Sequence, residues 1–309
     1  MIAVAGEALI DLVVGTGGRV DARPGGGPYN AARTLARLGQ PVTFLGRLAG
    51  DGFGRLLRER LTAEDVALGI PAPSGRPSTL AVATLDEAGV ADYAFYLDGT
   101  AAADVDDAAL RAALPAAVTA VHVGTLGLLM EPIGTAIERL VRSAVPADAL
   151  VLLDPNCRPA AVPDAAAYRA RIAAIAQRAD IVKASVEDLA YLYPGLPPEA
   201  AAKVLLEAGP ELVLVTDGPH PARAFLLDAV LACDVPAVPV ADTIGAGDAF
   251  GGGFLGWWTA RGLGRADLRR DELVGQALRA GAAVAALTCA RPGADPPTLA
   301  EVRDRNWWP

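Results

Sequence analysis

At 309 residues the chain exceeds the roughly 100–200 of a typical domain, yet α/β folds of this length commonly form one unit. Hydrophobic residues make up 52% and charged residues 20%, enough for a large core and incompatible with a disordered chain. A formal net charge of −9 without any long Lys/Arg run argues against nucleic acid, but leaves nucleotides open, because backbone N–H groups and a metal hold phosphate locally. The opening MIAVAGEALIDLVV lacks a basic leader, and Glu7 and Asp11 interrupt its apolar run. It reads as a first strand over Ile2–Ala5 rather than a signal peptide, so a cytosolic protein is expected. Further strands are expected at Val42–Leu45, Ala120–Val123, Leu150–Leu153, Ile181–Lys183 and Leu212–Thr216. Between them lie helical patterns at Pro28–Leu38, Phe53–Leu61, Ile133–Ser143, Ala165–Gln177 and Glu199–Glu207. Continuous apolar strands separated by helices predict an α/β fold: a doubly wound, mostly parallel sheet flanked by helices, as one domain over 1–309. No stretch approaches the roughly 18 unbroken apolar residues of a membrane span.

Two segments break the rhythm. Asp11–Arg23 is rich in Gly and Val, and Thr79–Leu97 alternates around a turn near Glu87–Gly89. The second reads as an antiparallel hairpin. Together they suggest a small separate β-sheet, a lid near 12–23 and 79–99, with an edge hairpin on the main sheet as the alternative. The three cysteines form no C-x-x-C pair and read as reduced thiols. His122 and His220 read as structural, and Asn306–Pro309 as a packed tail.

Asp242–Phe254 reads DTIGAGDAFGGGF. Gly245-Ala246-Gly247 opens a helix whose apolar face runs Phe250, Phe254, Trp257 and Trp258. Small residues at this junction let backbone N–H groups converge, and the helix dipole adds to an anion pocket. Asp248 in the first turn either complements the dipole or accepts a proton from a hydroxyl attacking a phosphoryl group. A second glycine-rich start, GGGPYNAARTLARLG over 25–39, puts Pro28 at the first helical position and the Asn30 amide within reach of hydroxyls.

These two strings resemble the signatures of the ribokinase-like (PfkB) carbohydrate kinases, a D-T-x-G-A-G-D-A-F turn and a G-G-x-x-x-N start before L-A-R-L-G. The resemblance covers about Val4 to Glu301 and implies ATP-dependent phosphorylation of a sugar hydroxyl. It implies Asp248 as the catalytic base and Gly245, Ala246 and Gly247 as the anion hole. Gly26, Gly27 and Asn30 would hold sugar hydroxyls, and Asp11, at the end of the first strand, would accept hydrogen bonds from two more. The turn at 50–54 fits the family and also suits a helix start.

The nucleotide side matches with departures. Lys183–Leu192, KASVEDLAYL, lies where the family carries an N-x-x-E motif organising Mg²⁺. Lys183 and Ser185 are thereby placed at the nucleotide, and the metal is left between Glu187 and Asp188. An N-capping Ser followed by first-turn acids explains the same residues. Thr216-Asp217-Gly218 resembles the T-x-G turn at the ATP phosphates, with Pro221 where a Gly is usual. The adenine pocket is expected near Ala280–Thr288, with Ala282 at the place of an Asn. A monovalent cation such as K⁺ would rest on carbonyls of Asp242 and Ile244. The block Asp154–Pro159, DPNCRP, is similar to one in fructokinases and 2-keto-3-deoxygluconate kinases; Arg158 there meets a phosphate, a carboxylate or a partner acid. Leu97 and Asp98 stand where keto-acid kinases tend to place an Arg, which favours a neutral hexose such as fructose. A nucleoside kinase, a keto-acid kinase and a non-catalytic sugar-binding protein are the alternatives. The expected partners are sugar and ATP, with a homodimer through the lid, and neither nucleic acid nor membrane.

Overall fold

The computed structural model describes residues 1–15, 18–85 and 91–308. Strand β1 (Ile2–Ala5) is buried along its length, after which the chain swings out into β2 (Leu9–Val14) and β3 (Val20–Gly25). Helix α1 (Gly27–Arg37) brings it back to β4 (Val42–Leu45), α2 (Gly52–Ala63) and the two-residue β5 (Ala67–Leu68). A second excursion forms β6 (Leu80–Leu85) and β7 (Ala91–Tyr96). Strand and helix then alternate through α3 (Asp107–Ala113), β8 (Ala120–Gly124), α4 (Ile133–Ser143), β9 (Leu150–Asp154) and α5 (Ala165–Ala176). They continue through β10 (Ile181–Ser185), α6 (Val186–Leu192), α7 (Pro198–Ala208) and β11 (Leu212–Asp217). A hairpin, β12 (His220–Phe225) and β13 (Val230–Cys233), precedes α8 (Ala246–Ala260), α9 (Asp271–Cys289) and α10 (Leu299–Asp304).

Among the described residues the main sheet runs β13-β12-β11-β10-β9-β8-β1-β4-β5. It is parallel from β11 to β5, with β12 and β13 antiparallel at one edge. Successive residues of each strand feed opposite cores, as the two-residue period requires. Ile2, Val4, Leu150, Leu152, Leu212 and Leu214 pack under α1, α8 and α9 with Leu35, Phe254 and Trp257. Ala3, Val151, Leu153, Val213 and Val215 pack on the other side with Ile137 of α4, Ile172 of α5 and Leu205 of α7. Both faces of the sheet are therefore covered, which confirms the doubly wound α/β class.

The lid is a separate four-stranded sheet, β3-β2-β6-β7, in which β2 and β6 run parallel and join two hairpins. The expected turn at Glu87–Gly89 lies outside the described residues. Asp11 departs from expectation: it stands on lid strand β2, opposite Arg23 and Ala81, and not at the end of β1. The turn at 50–54 starts α2, with Asp51 accepting from the Gly54 N–H at 2.8 Å. The C-terminal tail is preceded by α10, and Trp307 and Trp308 pack against Leu38, Val284 and Leu287. No helix among the described residues is long and apolar enough to cross a membrane.

Candidate active site

The strand order reverses direction between β8 and β1, and in open α/β sheets ligands bind outside the carboxyl ends of strands at that point. A cavity of 540 Å³ opens there, roofed by Leu9, Asp11, Val13, Ala81, Tyr93 and Phe95 of the lid. Its floor comes from the strand ends and the two glycine-rich turns, with Glu7, Gly26, Gly27, Asn30, Asn156, Arg158, Gly245, Gly247 and Asp248. A second cavity of 630 Å³ is lined by Thr216, Gly218, Val238, Phe250, Ala282 and Cys289. The two meet at Thr243 and Gly247, which line both.

Asp248 is the third residue of α8 and is 7% exposed. Each carboxylate oxygen receives one amide: Asn30 Nδ2 donates to Oδ2 at 2.9 Å, and Asn156 Nδ2 donates to Oδ1 at 3.2 Å. Burial pushes its carboxyl up, against the Asn30 bond and the charges of Lys183 and Arg158. Gly245 caps the helix with φ +76°, a conformation that glycine adopts without strain. The Ala246 N–H is turned to the Thr243 carbonyl at 3.2 Å. Gly27 is needed where it stands, since a Cβ there would lie 2.2 Å from Thr125 Oγ1 and 3.1 Å from Asp248 Oδ1.

Two residues at this site, Glu7 and Thr125, carry no motif that exposes them in sequence, and a third, Asn156, lies in the DPNCRP block without a role assigned there. Glu7 is fully buried, and its oxygens accept from the Gly27 N–H at 3.0 Å and the Gly127 N–H at 2.7 Å. Burial pushes its carboxyl up to about 8 despite those bonds, and the Asp248 charge adds to the rise. Thr125, a β-branched residue at φ +59°, and Asn156, at φ +39°, are both held in left-handed backbone beside Asp248. Such conformations persist only where the surroundings impose them, and they concentrate at working sites. Arg158 donates to Asn156 Oδ1 at 2.7 Å and so turns the amide toward Asp248. Asp11 faces the cavity, and desolvation pushes its carboxyl up to about 6 against Arg158 and Arg23.

The structure gathers Asp11, Gly26, Gly27, Asn30, Arg158, Gly245, Gly247 and Asp248 on one cavity, and Thr216, Gly218, Ala246 and Ala282 on the other, with Gly247 lining both. Lys183 and Ser185 do not line the second cavity, where the nucleotide is expected. Lys183 is buried beneath α8 and donates to Asp154 Oδ2 at 3.0 Å, while Ser185 caps α6. Asp188 closes the capping box: one oxygen accepts from the Ser185 N–H at 2.8 Å and the other from the Cys157 N–H at 2.6 Å. Its oxygens are thereby committed to backbone, whereas Glu187 is exposed. Asp242 accepts from the Ile244 and Gly293 N–H groups at 3.0 and 2.9 Å, and pairs with Arg23 of the lid at 3.4 Å. Pro221 lies on β12 and lines a shallower neighbouring hollow.

The family model for pfkB family carbohydrate kinases matches residues 1–301. The chain belongs to this family. The kinase is 38% identical over 259 residues to a fructokinase of Rhizobium leguminosarum bv. trifolii, covering 82% of this chain and 78% of that protein. Among solved structures it is similar to fructokinase with bound ATP from Xylella fastidiosa, with TM-score 0.88, 28% identity and coverage of 99% and 98%. It is similar also to fructokinase from Vibrio cholerae O395 in the fructose-, ADP- and calcium-bound form, with TM-score 0.83, 25% identity and coverage of 95% and 94%. The ribokinase-like fold with its separate lid sheet, and a sugar kinase activity, follow for the chain.

Proposed function

We propose that this sugar kinase transfers the γ-phosphate of ATP to a hydroxyl of fructose. The observation that carries the reading is the meeting of two cavities at Thr243 and Gly247, with Asp248 on the lid side of that junction. Sugar occupies the lid cavity, where Asp11 and Asn30 bond its hydroxyls, and the nucleotide lies over Thr216, Gly218 and Ala282. The hydroxyl oxygen bonds to the γ-phosphorus as the β,γ-bridging bond breaks; its proton passes to Asp248 and ADP leaves. The anion hole is carried by Gly245 and Gly247, because the Ala246 N–H is already engaged. Among the described residues the lid cavity is lined by no Lys, and its Arg158 is bound to Asn156, which supports a neutral acceptor over an acidic one.

Mg²⁺ keeps several waters and needs one or two carboxylates; Glu187 is exposed and so available to it, whereas both oxygens of Asp188 are already committed to backbone N–H groups. When bound it would neutralise charge on the phosphates. The 242–244 segment, fixed by the Asp242 carboxylate, would offer the Asp242 and Ile244 carbonyls to K⁺. Self-association through the lid is supported by its outer face, where the register aligns Leu12, Val14, Val20, Val82 and Tyr96.

The test is Asp248→Asn. Loss of a positioned base lowers turnover by about 10²–10⁴ with sugar affinity retained. Near-wild-type turnover would refute the assignment. The same assay over fructose, other hexoses, pentoses and nucleosides identifies the acceptor, and phosphorylation of a nucleoside but not fructose would overturn the choice of sugar.

A further inference from the structure

Lys183 has no place in the scheme above, yet it is a costly residue to keep. It interrupts an apolar strand in which Ile181, Val182 and Ala184 are fully buried, and its own side chain is 3% exposed. Strand parity puts it with Ile181 on the face beneath α8. There its Nζ meets Asp154 at 3.0 Å and presses against the anion-hole turn: a Cβ built on Gly247 would lie 2.8 Å from that nitrogen. Buried ion pairs contribute little net stability, because desolvation offsets the attraction. A buried ammonium held this close to a reacting site therefore calls for an electrostatic reason.

The charges around Asp248 supply one. It is faced by the carboxyl groups of Glu7 from the end of β1 and Asp11 from the lid, and by Asp154 from β9, with Asp188 of α6 behind Lys183; Glu7 carries its charge only above about pH 8. His122 on β8 adds no charge, since burial and Lys183 push it down to about 4. Arg158 is the other cation acting on Asp248, but it is exposed and screened by solvent. Burial among carboxylates, with a phosphate arriving alongside, drives a carboxyl toward its protonated form, which cannot act as a base.

We propose that Lys183 is a positioning residue whose buried ammonium, set under Gly247, keeps Asp248 ionised beside the transferring phosphate. The proposal rests on Asp248 being the base. Sign and size follow. The active form is the carboxylate, so the rate falls as pH drops through its pKa. A nearby cation lowers such a pKa, by roughly 1–3 units at close range, so removing it moves the acid limb to higher pH.

The experiment compares Asp154→Asn with Asp154→Asn/Lys183→Met. The pair differs only by the ammonium and leaves no orphaned carboxylate, so the double variant has a neutral, near-isosteric core. Single-turnover phosphorylation of fructose at saturating sugar and MgATP is followed from pH 5 to 9, so that the chemical step is read with Asp11 already engaged by sugar. The acid limb of the double variant is expected about one unit or more above that of Asp154→Asn, a loss of about tenfold at a pH below both limbs. Coincident limbs overturn the proposal, because a purely structural Lys183 would change amplitude and leave the limb in place. Asp248→Asn run alongside separates the two readings: if it stays active the base assignment falls, and if it is inactive while the limbs coincide only the role of Lys183 falls.

Discussion

Glu7→Gln isolates the least conspicuous residue of the acceptor site. Glu7 receives two backbone N–H groups, from Gly27 at 3.0 Å and Gly127 at 2.7 Å. Glutamine offers one acceptor oxygen, and its NH₂ must then face the other N–H, donor against donor. The shorter bond to Gly127 is the one retained, so the Gly27 turn is released. With the Glu7 carboxyl raised to about 8, the comparison is made at pH 9, where Glu7 is ionised. A hydrogen bond to a charged group contributes about 1.5–3 kcal/mol, and removing a buried charge returns part of that, leaving a net loss near 1.4 kcal/mol at the turn. Since 1.4 kcal/mol is about tenfold in an equilibrium constant, the KM for sugar should rise about tenfold. The base and anion hole lie on α8, so kcat should change by less than about threefold. A coupled assay of ADP release against sugar concentration reads both constants. An unchanged sugar KM, with the same thermal midpoint, would refute the claim that Glu7 holds the turn.

Three further outcomes follow from the geometry. With the Asp11 carboxyl raised to about 6, its ionised form, which accepts from hydroxyls, is lost as pH falls below that value. The sugar KM should therefore climb about tenfold per pH unit below 6, and Asp11→Asn should raise KM and flatten that dependence. Ala282 is 1% exposed on the nucleotide cavity, so Ala282→Phe should raise the KM for ATP about tenfold or more at unchanged sugar KM in initial-rate measurements. Val20 and Tyr96 are 54% and 59% exposed on the lid's outer face; on the proposed self-association the unaltered chain should scatter light at twice the chain mass and Val20→Lys/Tyr96→Lys at the monomer mass.

What the sequence disclosed depended on how local each signal was. The parallel core was legible because each strand is one continuous apolar run. The edge hairpin β12–β13 was not, because His220 and Pro221 open one strand and half-exposed residues make up the other. At the site, the 245–248 turn and Asn30 announce themselves through glycines at helix starts. Glu7 does not, because its partners are backbone amides 20 and 120 residues away. Thr125 and Asn156 acquire meaning from left-handed backbone that residue type alone does not encode. Ser185 and Asp188 fit a metal motif and a capping box equally well on paper, and the box is what forms. Lys183 was readable as part of a motif at the nucleotide, and strand parity adds the layer it enters, beneath α8 and against Asp154.

Asp11 on β2, rather than on β1, divides the labour between two pieces of chain. On the proposed reading the acceptor is held jointly by Asp11 of a four-stranded appendage and by Gly26, Gly27 and Asn30 at the start of α1, whereas the groups handling phosphate belong to α8. The appendage consists of β2 and β3, inserted between β1 and α1, and of β6 and β7, inserted between β5 and α3. Such an arrangement lets descent with modification retarget the enzyme by rewriting a peripheral module while its reactive centre is inherited intact. It marks 9–25 and 80–96 as the natural cassettes for exchanging acceptor preference between relatives.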